Sequence, residues 1–501
     1  MKDPGTRAEQ GGLAMGTDRV ARFFALAMMV TLPVIGCRSS PIIRDAREDH
    51  GSPVPGTTPA LAEYLKGASG PVTIVLVHGV GFHCPLFGLD KSSGWLSDTR
   101  ARALGLEPQG DPGPPQLIWD LDNRANGEVD RRSAFYLTRR SFVYHDQDHH
   151  LTVPVLAAEI TWSGLTAWVK DKQLAFDLTN NVAPGIMPRD HDVSSLQHDP
   201  NPVEIACPGI PDASYPYRRL MVNRLVKEGT LDMSLSDAVL YMGSYGPKIE
   251  RAVAEVMCRL TSTKTYESTE RCEWPALDAL ERRQFVFMTH SLGSRIVYDT
   301  LLELMRVSLR PHTAPVFDPN YLDQAEPIAE EIIGHTAAVY MFANQLPLVG
   351  LANEDVTARS DEAPKPLIAF EAYVAALALA RDRAARTAVT AQSSHCPDPL
   401  ICFARERSRL VKSRDAHAGT LEIVAFSDPN DLLSYPIPSW YVRDDLQFDM
   451  HITNVSVQNA THWLIFEWPQ DAHDGYFTQA DVWGVIRCGA NAGRIGECAG
   501  R

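Results

Sequence analysis

One short strand that turns at a serine into a helix constrains the fold of this chain more than any other feature of its sequence. Residues 285–288 are continuously apolar, which is typical of a strand with both faces buried in a parallel sheet. The run ends at Thr289-His-Ser-Leu-Gly293, and apolar residues then recur at helical spacing at Ile296, Val297, Leu301, Leu302 and Met305. Such a turn lifts the hydroxyl of Ser291 clear of the sheet and points the first helix amides at the same place. The pattern predicts a nucleophilic serine at the end of a parallel strand.

The turn departs from the pattern G-x-S-x-G at its first position, where Thr289 replaces glycine. Glycine is favoured there because the strained turn brings strand and helix close together. Threonine is small, so the departure weakens the match without cancelling it. Taken alone, Ser291 and Gly293 also fit residues that only cap a helix, and other segments must decide between the two interpretations.

A second apolar strand lies far upstream, at residues 72–77, and it is followed by His78-Gly-Val-Gly81. Its β-branched, uninterrupted run is typical of a central parallel strand that leads into a flexible loop. In serine hydrolases of this layout, one oxyanion donor comes from such a His-Gly loop and the other from the residue after the serine. The expected donors are the backbone N–H groups near Val80 or Gly81 and that of Leu292. An ordinary glycine turn after a strand is the alternative.

Taken together, the two segments resemble the α/β-hydrolase superfamily in its lipase and esterase branch, over roughly residues 70 to 490. The resemblance implies an α/β fold with a mostly parallel central sheet flanked by helices, and with large insertions before the serine turn. It also implies a triad in the chain order serine, acid, histidine. The acid and the histidine are expected on loops that follow late strands.

Two carboxylates compete for the role of the acid. Residues 421–426 form a further strand pattern, and the loop Ser427-Asp-Pro-Asn-Asp431 follows it. Asp431 precedes a pair of leucines, like the apolar pair that often follows the acid in this superfamily. Asp428 precedes proline, where a carboxylate is also a common turn former. We favour Asp431 and keep Asp428 as the alternative.

His473 is the preferred histidine, because its loop is followed by a helical pattern like the ending of many hydrolases. Its rival, His462, falls in a stretch rich in β-branched and aromatic residues between Ile452 and Trp468, which indicates a packed strand or hairpin. The chemistry needs an imidazole because its ordinary pKa of ~6.5 allows it to take and return a proton. The acid would fix the tautomer of the imidazole and stabilise its charged form.

The N-terminus has the layout of a secretory signal. Residues 23–36 are apolar, Arg19 and Arg22 precede them, and Cys37 ends the stretch, which is too short to favour a transmembrane helix. Val34-Ile-Gly-Cys37 resembles the bacterial lipobox, whose cysteine is lipidated and becomes the new N-terminus. The alternative is an ordinary signal peptide with a chance cysteine.

Three regions are therefore expected along the chain: a signal peptide with lipobox over 1–37, a flexible tether over 38–60, and one hydrolase domain over 61–501. Met15 is an alternative start that would give the signal a conventional length. No Asp follows the lipobox cysteine directly, so the chain resembles lipoproteins sent to the bacterial outer membrane, facing the periplasm. Insertions over about 84–135 and 177–215 are the candidates for a lid that selects the substrate.

The cysteine count agrees with export. Nine cysteines minus Cys37 leave eight, an even number that permits complete pairing in an oxidising compartment. Local pairs are plausible at Cys258–Cys272, Cys396–Cys402 and Cys488–Cys498, and scattered free thiols are the alternative. None has the C-x-x-C spacing of a zinc site.

The net charge and the candidate residues together indicate which partners and which activity to expect. A net charge of −15 argues against a nucleic-acid groove and against electrostatic adhesion to anionic lipid, so membrane attachment would come from the lipid anchor. The expected activity is hydrolysis of carboxylic esters, with lipid esters as the natural guess, and it requires no metal and no organic cofactor. The same residues are compatible with cleavage of thioesters, amides or acetyl groups, or with a catalytically silent binding scaffold.

Overall fold

The computed structural model describes residues 41–46, 58–120, 124–125, 128–129, 133–146, 150–174, 226–280, 282–307, 316–351, 398–413, 419–442, 449–459 and 469–489. The lipobox cysteine Cys37, the rival histidine His462, and the predicted insertion 177–215 lie outside these residues. None of the helices in the described part of the chain has the length and apolar character that spanning a bilayer requires.

A ten-stranded mixed sheet forms the centre of the fold, in the order β1-β12-β11-β10-β9-β2-β8-β7-β3, with β4 also paired to β7. Neighbouring strands from β12 to β8 run parallel, whereas β1, β7, β3 and β4 pair antiparallel at the two ends. A separate hairpin pairs β5 with β6. The strands are β1 (Ile42–Asp45), β2 (Val72–Val77), β3 (Leu106–Pro108), β4 (Gln116–Trp119), β5 (Arg124–Ala125), β6 (Glu128–Val129), β7 (Ala134–Asp146), β8 (Leu151–Thr161), β9 (Gln284–His290), β10 (Thr336–Phe342), β11 (Leu421–Ser427) and β12 (Met450–Ser456).

Helices cover both faces of this sheet. The described α-helices are α1 (Leu61–Lys66), α2 (Asp98–Ala103), α3 (Gly164–Leu174), α4 (Ser236–Met242), α5 (Gly246–Thr261), α6 (Gly293–Leu304), α7 (Pro319–Gly334), α8 (Leu346–Gly350), α9 (Pro399–Ser413), α10 (Pro469–Asp474) and α11 (Ala480–Cys488). A π-helix spans Val226–Leu235, and 3-10 turns span Leu277–Leu280, Ser439–Val442 and Gly475–Phe477. The α/β class predicted from the sequence is confirmed.

Alternate residues of the central strands feed two separate cores, because successive side chains of a strand point to opposite faces. In β2, Val75 and Val77 join a core that includes residues of α5, α6, α7 and α9. Ile74 and Leu76 join the other core, with residues of α1 and α11. Every residue of β2 is buried, so its sequence is apolar except for Thr73 and shows no alternation of apolar and polar residues.

Part of the predicted tether is ordered as a sheet edge. Residues Ile42–Asp45 form β1, which pairs antiparallel with β12 from Ile42 opposite Ser456 to Asp45 opposite Thr453. Two isoleucines in a stretch rich in charge, Gly and Pro are too few for a periodic signal, so this strand escaped prediction. The predicted insertion over 84–135 likewise contains regular elements, among them α2, β3 and β4.

One predicted disulfide is present within the described residues and links Cys258 to Cys272. Cys84, Cys402 and Cys488 are also disulfide-bonded. The bond at Cys258 closes a short loop after α5, on the side of the sheet where the larger core lies.

Candidate active site

Ser291 occupies the sharp turn between β9 and α6. Its φ is 53°, in the left-handed region that residues other than glycine rarely adopt. Its backbone N–H donates to the carbonyl oxygen of Phe342 at 2.7 Å, at the end of the neighbouring strand β10. Strain of this kind persists only where the surroundings enforce it, and it is concentrated at functional sites.

Two glycines make room for this turn. A Cβ on Gly79 would lie 2.4 Å from the Cβ of Ser291, and a Cβ on Gly293 would lie 2.6 Å from the carbonyl oxygen of Val77. Both distances are below any van der Waals contact, so the turn and the loop after β2 approach each other only because both residues lack a side chain. This explains the glycine of the His-Gly loop and the last glycine of the serine motif.

Thr289, where the sequence departs from the glycine pattern, is accommodated inside the turn. Its hydroxyl donates to the carbonyl oxygen of Tyr340 at 3.3 Å and lies 2.7 Å from the hydroxyl of Ser294. Both threonine and serine are buried. The Thr289 side chain therefore joins the end of β9 to the first turn of α6 and to β10 through these two hydrogen bonds.

The structure brings Ser291, His473 and Asp431 together. The His473 Nε2 lies 3.1 Å from the Ser291 Oγ, and the His473 Nδ1 lies 2.9 and 3.0 Å from the two carboxylate oxygens of Asp431. All three side chains are buried. Because Nδ1 faces a carboxylate, it carries the proton, and the Nε2 lone pair is directed to the serine hydroxyl.

Asp428 lies in the same loop but does not contact His473. Its carboxylate accepts from the N–H groups of Asn430 at 2.8 Å and Asn459 at 2.6 Å, and its own N–H donates to the Tyr476 hydroxyl at 2.7 Å. That hydroxyl in turn donates to Asp431 at 3.1 Å. Asp428 therefore shapes the loop, while Asp431 is the carboxylate placed on the imidazole.

The environment of His473 tunes its basicity. Burial favours the neutral ring and alone would lower its pKa, but the hydrogen bond and the charge of Asp431 outweigh burial and raise the pKa above the ordinary value. A raised pKa makes the ring a stronger base toward the serine proton. The pair thus has the electrostatics of a general base held by an acid.

His78, which follows β2, makes hydrogen bonds that hold the loop in place. Its Nε2 accepts the N–H of Trp162 at 2.9 Å, its Nδ1 donates to the carbonyl oxygen of Gly79 at 2.7 Å, and the Trp162 indole donates back to the His78 carbonyl oxygen at 3.0 Å. Burial lowers its pKa far below the ordinary value, so the ring is neutral. These bonds fasten the loop after β2 to the end of β8.

His290 is a site residue that the sequence analysis did not single out. Its Nε2 donates to the backbone carbonyl oxygen of His473 at 2.9 Å, and the two rings lie 4.8 Å apart between centroids. Burial lowers the pKa of His290 well below its ordinary value, so it remains neutral. It joins the serine turn to α10, and this helix carries His473, which the sequence analysis had placed on a loop. The sequence did contain a signal for this role, because a histidine in a turn that is buried needs a hydrogen-bond partner.

The predicted oxyanion donors differ in their present partners. The N–H of Gly81 donates to the Asp237 carboxylate at 2.8 Å. Neither the N–H of Val80 nor that of Leu292 makes a hydrogen bond to any described residue. Val80 and Leu292 therefore have amides available to a bound group, on the two sides of the close contact between Gly79 and Ser291.

Comparison of the chain with protein-family models, curated proteins and solved structures gives no match. Among the residues that the structure describes, no group of three or more histidine, cysteine or acidic side chains is arranged to hold a metal ion.

Proposed function

We propose that this chain is a serine hydrolase of the α/β-hydrolase fold that cleaves carboxylic esters. The observation that carries the proposal is the continuous hydrogen-bonded series from the Ser291 hydroxyl through His473 to Asp431, at a residue held in a strained turn. A strained serine, a buried histidine–carboxylate pair or an unpaired backbone amide also occurs in proteins without catalytic activity. The convergence of all three on one hydroxyl favours nucleophilic catalysis.

The geometry supports a two-stage reaction. His473 Nε2 takes the proton of Ser291 as the serine oxygen attacks the ester carbonyl carbon, and a tetrahedral oxyanion forms. The same nitrogen then gives the proton to the leaving alcohol oxygen, the carbon–oxygen bond breaks, and an acyl-serine remains. In the second stage His473 takes a proton from a water molecule, whose oxygen attacks the acyl carbon. The bond between that carbon and the Ser291 oxygen then breaks, His473 returns the proton to Ser291, and the carboxylic acid leaves. Asp431 holds the ring in the required tautomer throughout.

The oxyanion would be received by backbone amides. The N–H of Leu292 belongs to the residue after the serine, and the N–H of Val80 lies in the loop that contacts the serine through Gly79. Donors of this kind typically lower the barrier by about 3–4 kcal/mol each, because they are oriented before charge develops. Gly81 does not share this role, because its amide is occupied by Asp237.

The cellular setting is proposed from the N-terminus. The lipobox-like segment that ends at Cys37 would place the enzyme at the bacterial cell envelope, anchored by lipid to the outer membrane and facing the periplasm. An enzyme held at a membrane meets lipid and other acyl esters, which makes these the substrates to test first. The disulfide-bonded cysteines agree with an oxidising compartment.

The test is hydrolysis of short- and long-chain p-nitrophenyl esters by the mature protein and by variants. We expect Ser291→Ala and His473→Ala to lower kcat on the order of 10⁴–10⁶-fold, as triad residues do elsewhere. His335→Ala is the matched control, since that half-buried histidine contacts Glu331 in α7 and lies outside the site. A folded parent protein without turnover on any ester would contradict the proposed activity.

A further inference from the structure

A buried ion pair lies behind the loop that follows β2. The ammonium of Lys170, on α3, is 2.8 Å from the Oδ1 atom of Asp237, on α4. The exposed fractions of the two side chains are 1% and 0%. Burying two charges is costly even when they are paired, and replacing such a pair by apolar residues is often neutral or stabilising. We therefore explain the buried Lys170–Asp237 pair by the loop that it holds, and not by a contribution to the free energy of unfolding.

The second oxygen of Asp237 holds the loop itself. It accepts the backbone N–H of Gly81 at 2.8 Å, and Gly81 has a φ of 98°, a conformation that favours glycine. The carbonyl oxygen of the preceding residue, Val80, accepts from the Nε2 of His83 at 3.3 Å. Burial lowers the pKa of His83 to about 4, so this ring is neutral at pH 7. The peptide group between Val80 and Gly81 is thus fixed at both its oxygen and its nitrogen.

The negative charge of Asp237 also affects the proposed oxyanion site. A carboxylate bonded to the amide of Gly81 lies one residue from the Val80 amide, the donor proposed for the oxyanion. An unneutralised carboxylate this close would oppose negative charge that develops on the substrate, most strongly in a site without water. Lys170 neutralises it, and its ammonium also lies 4.5 Å from the ring centre of Phe82, the next residue of the loop.

We propose that the Lys170–Asp237 pair is a positioning device for the oxyanion loop. Asp237 holds the Gly81 amide so that the Val80 amide stays directed at the substrate, and Lys170 prevents the carboxylate charge from opposing the oxyanion. Neither residue touches the substrate, and both act through the backbone of Val80 and Gly81. The inference rests on the proposed esterase function and adds two positioning residues to it.

Three variants separate charge from hydrogen bonding. Lys170→Met leaves the carboxylate uncompensated, and we expect kcat to fall on the order of 10²-fold with KM changed less than about threefold. The double variant Lys170→Met/Asp237→Asn removes both charges but keeps an acceptor for the Gly81 amide, so kcat should return to within about tenfold of the parent. Lys170→Met/Asp237→Leu removes the acceptor too and should remain as slow as Lys170→Met.

Binding of phenylboronic acid gives a readout that a merely structural pair would not move. Its tetrahedral adduct with a serine places an oxygen where the oxyanion forms. Inhibition should therefore weaken in Lys170→Met and in the Asp237→Leu double variant, and recover in the Asp237→Asn double variant. The control is Glu255→Gln, which breaks a buried pair with Arg259 on α5 beside the disulfide and should lower Tm while leaving kcat unchanged.

These measurements distinguish a structural pair from a positioning pair, and both from a protein without esterase activity. If the parent is active and the variants lose only Tm, with kcat and boronate inhibition unchanged, the pair is structural and the inference is wrong. If Lys170→Met does not fold, equal kcat in the two double variants overturns it, and a faster Asp237→Asn double variant supports it. A folded parent that neither hydrolyses esters nor binds the boronic acid contradicts the proposed function, and this inference with it.

Discussion

Individual side chains set the protonation state on which the proposed chemistry depends. His473 must be neutral at Nε2 to accept the serine proton, and Asp431 raises its pKa above the ordinary value despite burial. His290 and His78 lie nearby but are held neutral by burial, so they keep their hydrogen bonds across the working pH range. Of the four histidines in and beside the site, His473 alone has a raised pKa, whereas burial lowers the pKa of His78, His83 and His290.

The first prediction concerns pH. Because the base acts only when neutral and its pKa is raised, kcat/KM should increase with pH through a midpoint above 6.5 and be lost as pH falls. Asp431→Asn removes the charge of Asp431 and its charged hydrogen bond, the two larger effects that raise the pKa of His473. Burial, which lowers the pKa, and the smaller effect of the Asp474 charge remain, so the midpoint should move to lower pH. The kcat of Asp431→Asn should also fall on the order of 10⁴-fold. The measurement is a pH–rate profile of both proteins with a short-chain ester.

An active parent whose kcat/KM does not change between pH 5 and pH 9 would contradict this role of His473. An unchanged midpoint in Asp431→Asn would contradict the role of the carboxylate in raising the pKa.

The second prediction separates the two aspartates. Asp428→Ala should lower the free energy of unfolding by about 1–3 kcal/mol, because two backbone N–H groups lose their acceptor. Its kcat should fall far less than that of Asp431→Ala, since only Asp431 contacts the imidazole. Urea unfolding and kcat measured on both variants provide the check. The assignment fails if Asp428→Ala, folded, is the slower enzyme.

At the scale of elements, the serine turn must approach both the loop after β2 and the end of β2 within van der Waals contact. Gly79 lies against Ser291, and Gly293 lies against the end of β2, so strand, loop and helix form one packed unit. His78 adds β8 to this unit and His290 adds the segment of His473. The geometry of the hydroxyl is therefore a property of several elements together.

The third prediction tests that packing. Gly79→Ala would place a methyl group 2.4 Å from the Ser291 Cβ, so the serine or the loop must move. We expect kcat to fall at least 10²-fold, because a displacement of about 1 Å is that costly to catalysis. Overpacking should also destabilise by about 1–3 kcal/mol. Gly350→Ala is the matched control, since nothing lies within 4 Å of its added methyl. A Gly79→Ala enzyme with parental kcat would show that the contact is not tight.

The fourth prediction concerns the edge strand β1. His451 on β12 contacts Glu422 on β11 at 2.7 Å and Asp45 on β1 at 3.3 Å. The hydrogen bond that His451 donates to Glu422 raises the pKa of His451. Burial opposes this shift, and the negative charges of Glu422 and Asp45 add to it. A raised pKa means stabilisation that is complete below the unfolded value and is lost as pH rises through the folded value.

Pairing of β1 should therefore be stronger in mild acid. Limited proteolysis of the segment around residue 45 should be slower at pH 5.5 than at pH 8, after correction for protease activity on an unfolded substrate. In His451→Gln the difference should disappear, because glutamine does not titrate. Persistence of the difference in that variant would assign the effect to another group.

At the scale of the whole molecule, the strands that position the site were predictable and the contacts between distant segments were not. The strands β2, β9, β10 and β11 are buried on both faces, and a largely apolar run of residues predicts such burial. The sequence did not decide whether Asp431 or Asp428 is the acid of the triad, because this depends on which carboxylate contacts the His473 ring, 42 residues from Asp431.

The remaining misses have the same cause. The hydrogen bond of His290 joins residues 183 positions apart, and the bond from Gly81 to Asp237 joins residues 156 apart. No periodicity or motif encodes such pairs, because they arise only when the sheet brings the loops together. Lys170 and Asp237 even contradict the usual sequence expectation, which places lysine and aspartate at the surface.

The fifth prediction concerns the molecule's stability. Removing the Cys258–Cys272 bond with two serine substitutions should lower the free energy of unfolding by about 3 kcal/mol, given a sequence separation of 14. The bond lies at α5 and away from Ser291, so kcat at 25 °C should stay near the parental value. Urea unfolding under oxidising conditions gives the first quantity and an esterase assay the second. Unchanged stability would mean that the closed loop is already ordered in the unfolded chain.

The central claim is that Ser291 is an activated nucleophile, and covalent labelling tests it most directly. The mature protein would be treated with a fluorophosphonate, measured by intact-mass spectrometry and mapped by peptide sequencing. We predict one adduct per chain, on Ser291, with none in Ser291→Ala and a strongly slowed reaction in His473→Ala. An adduct on another serine, or a folded protein that takes up no label, would contradict the claim.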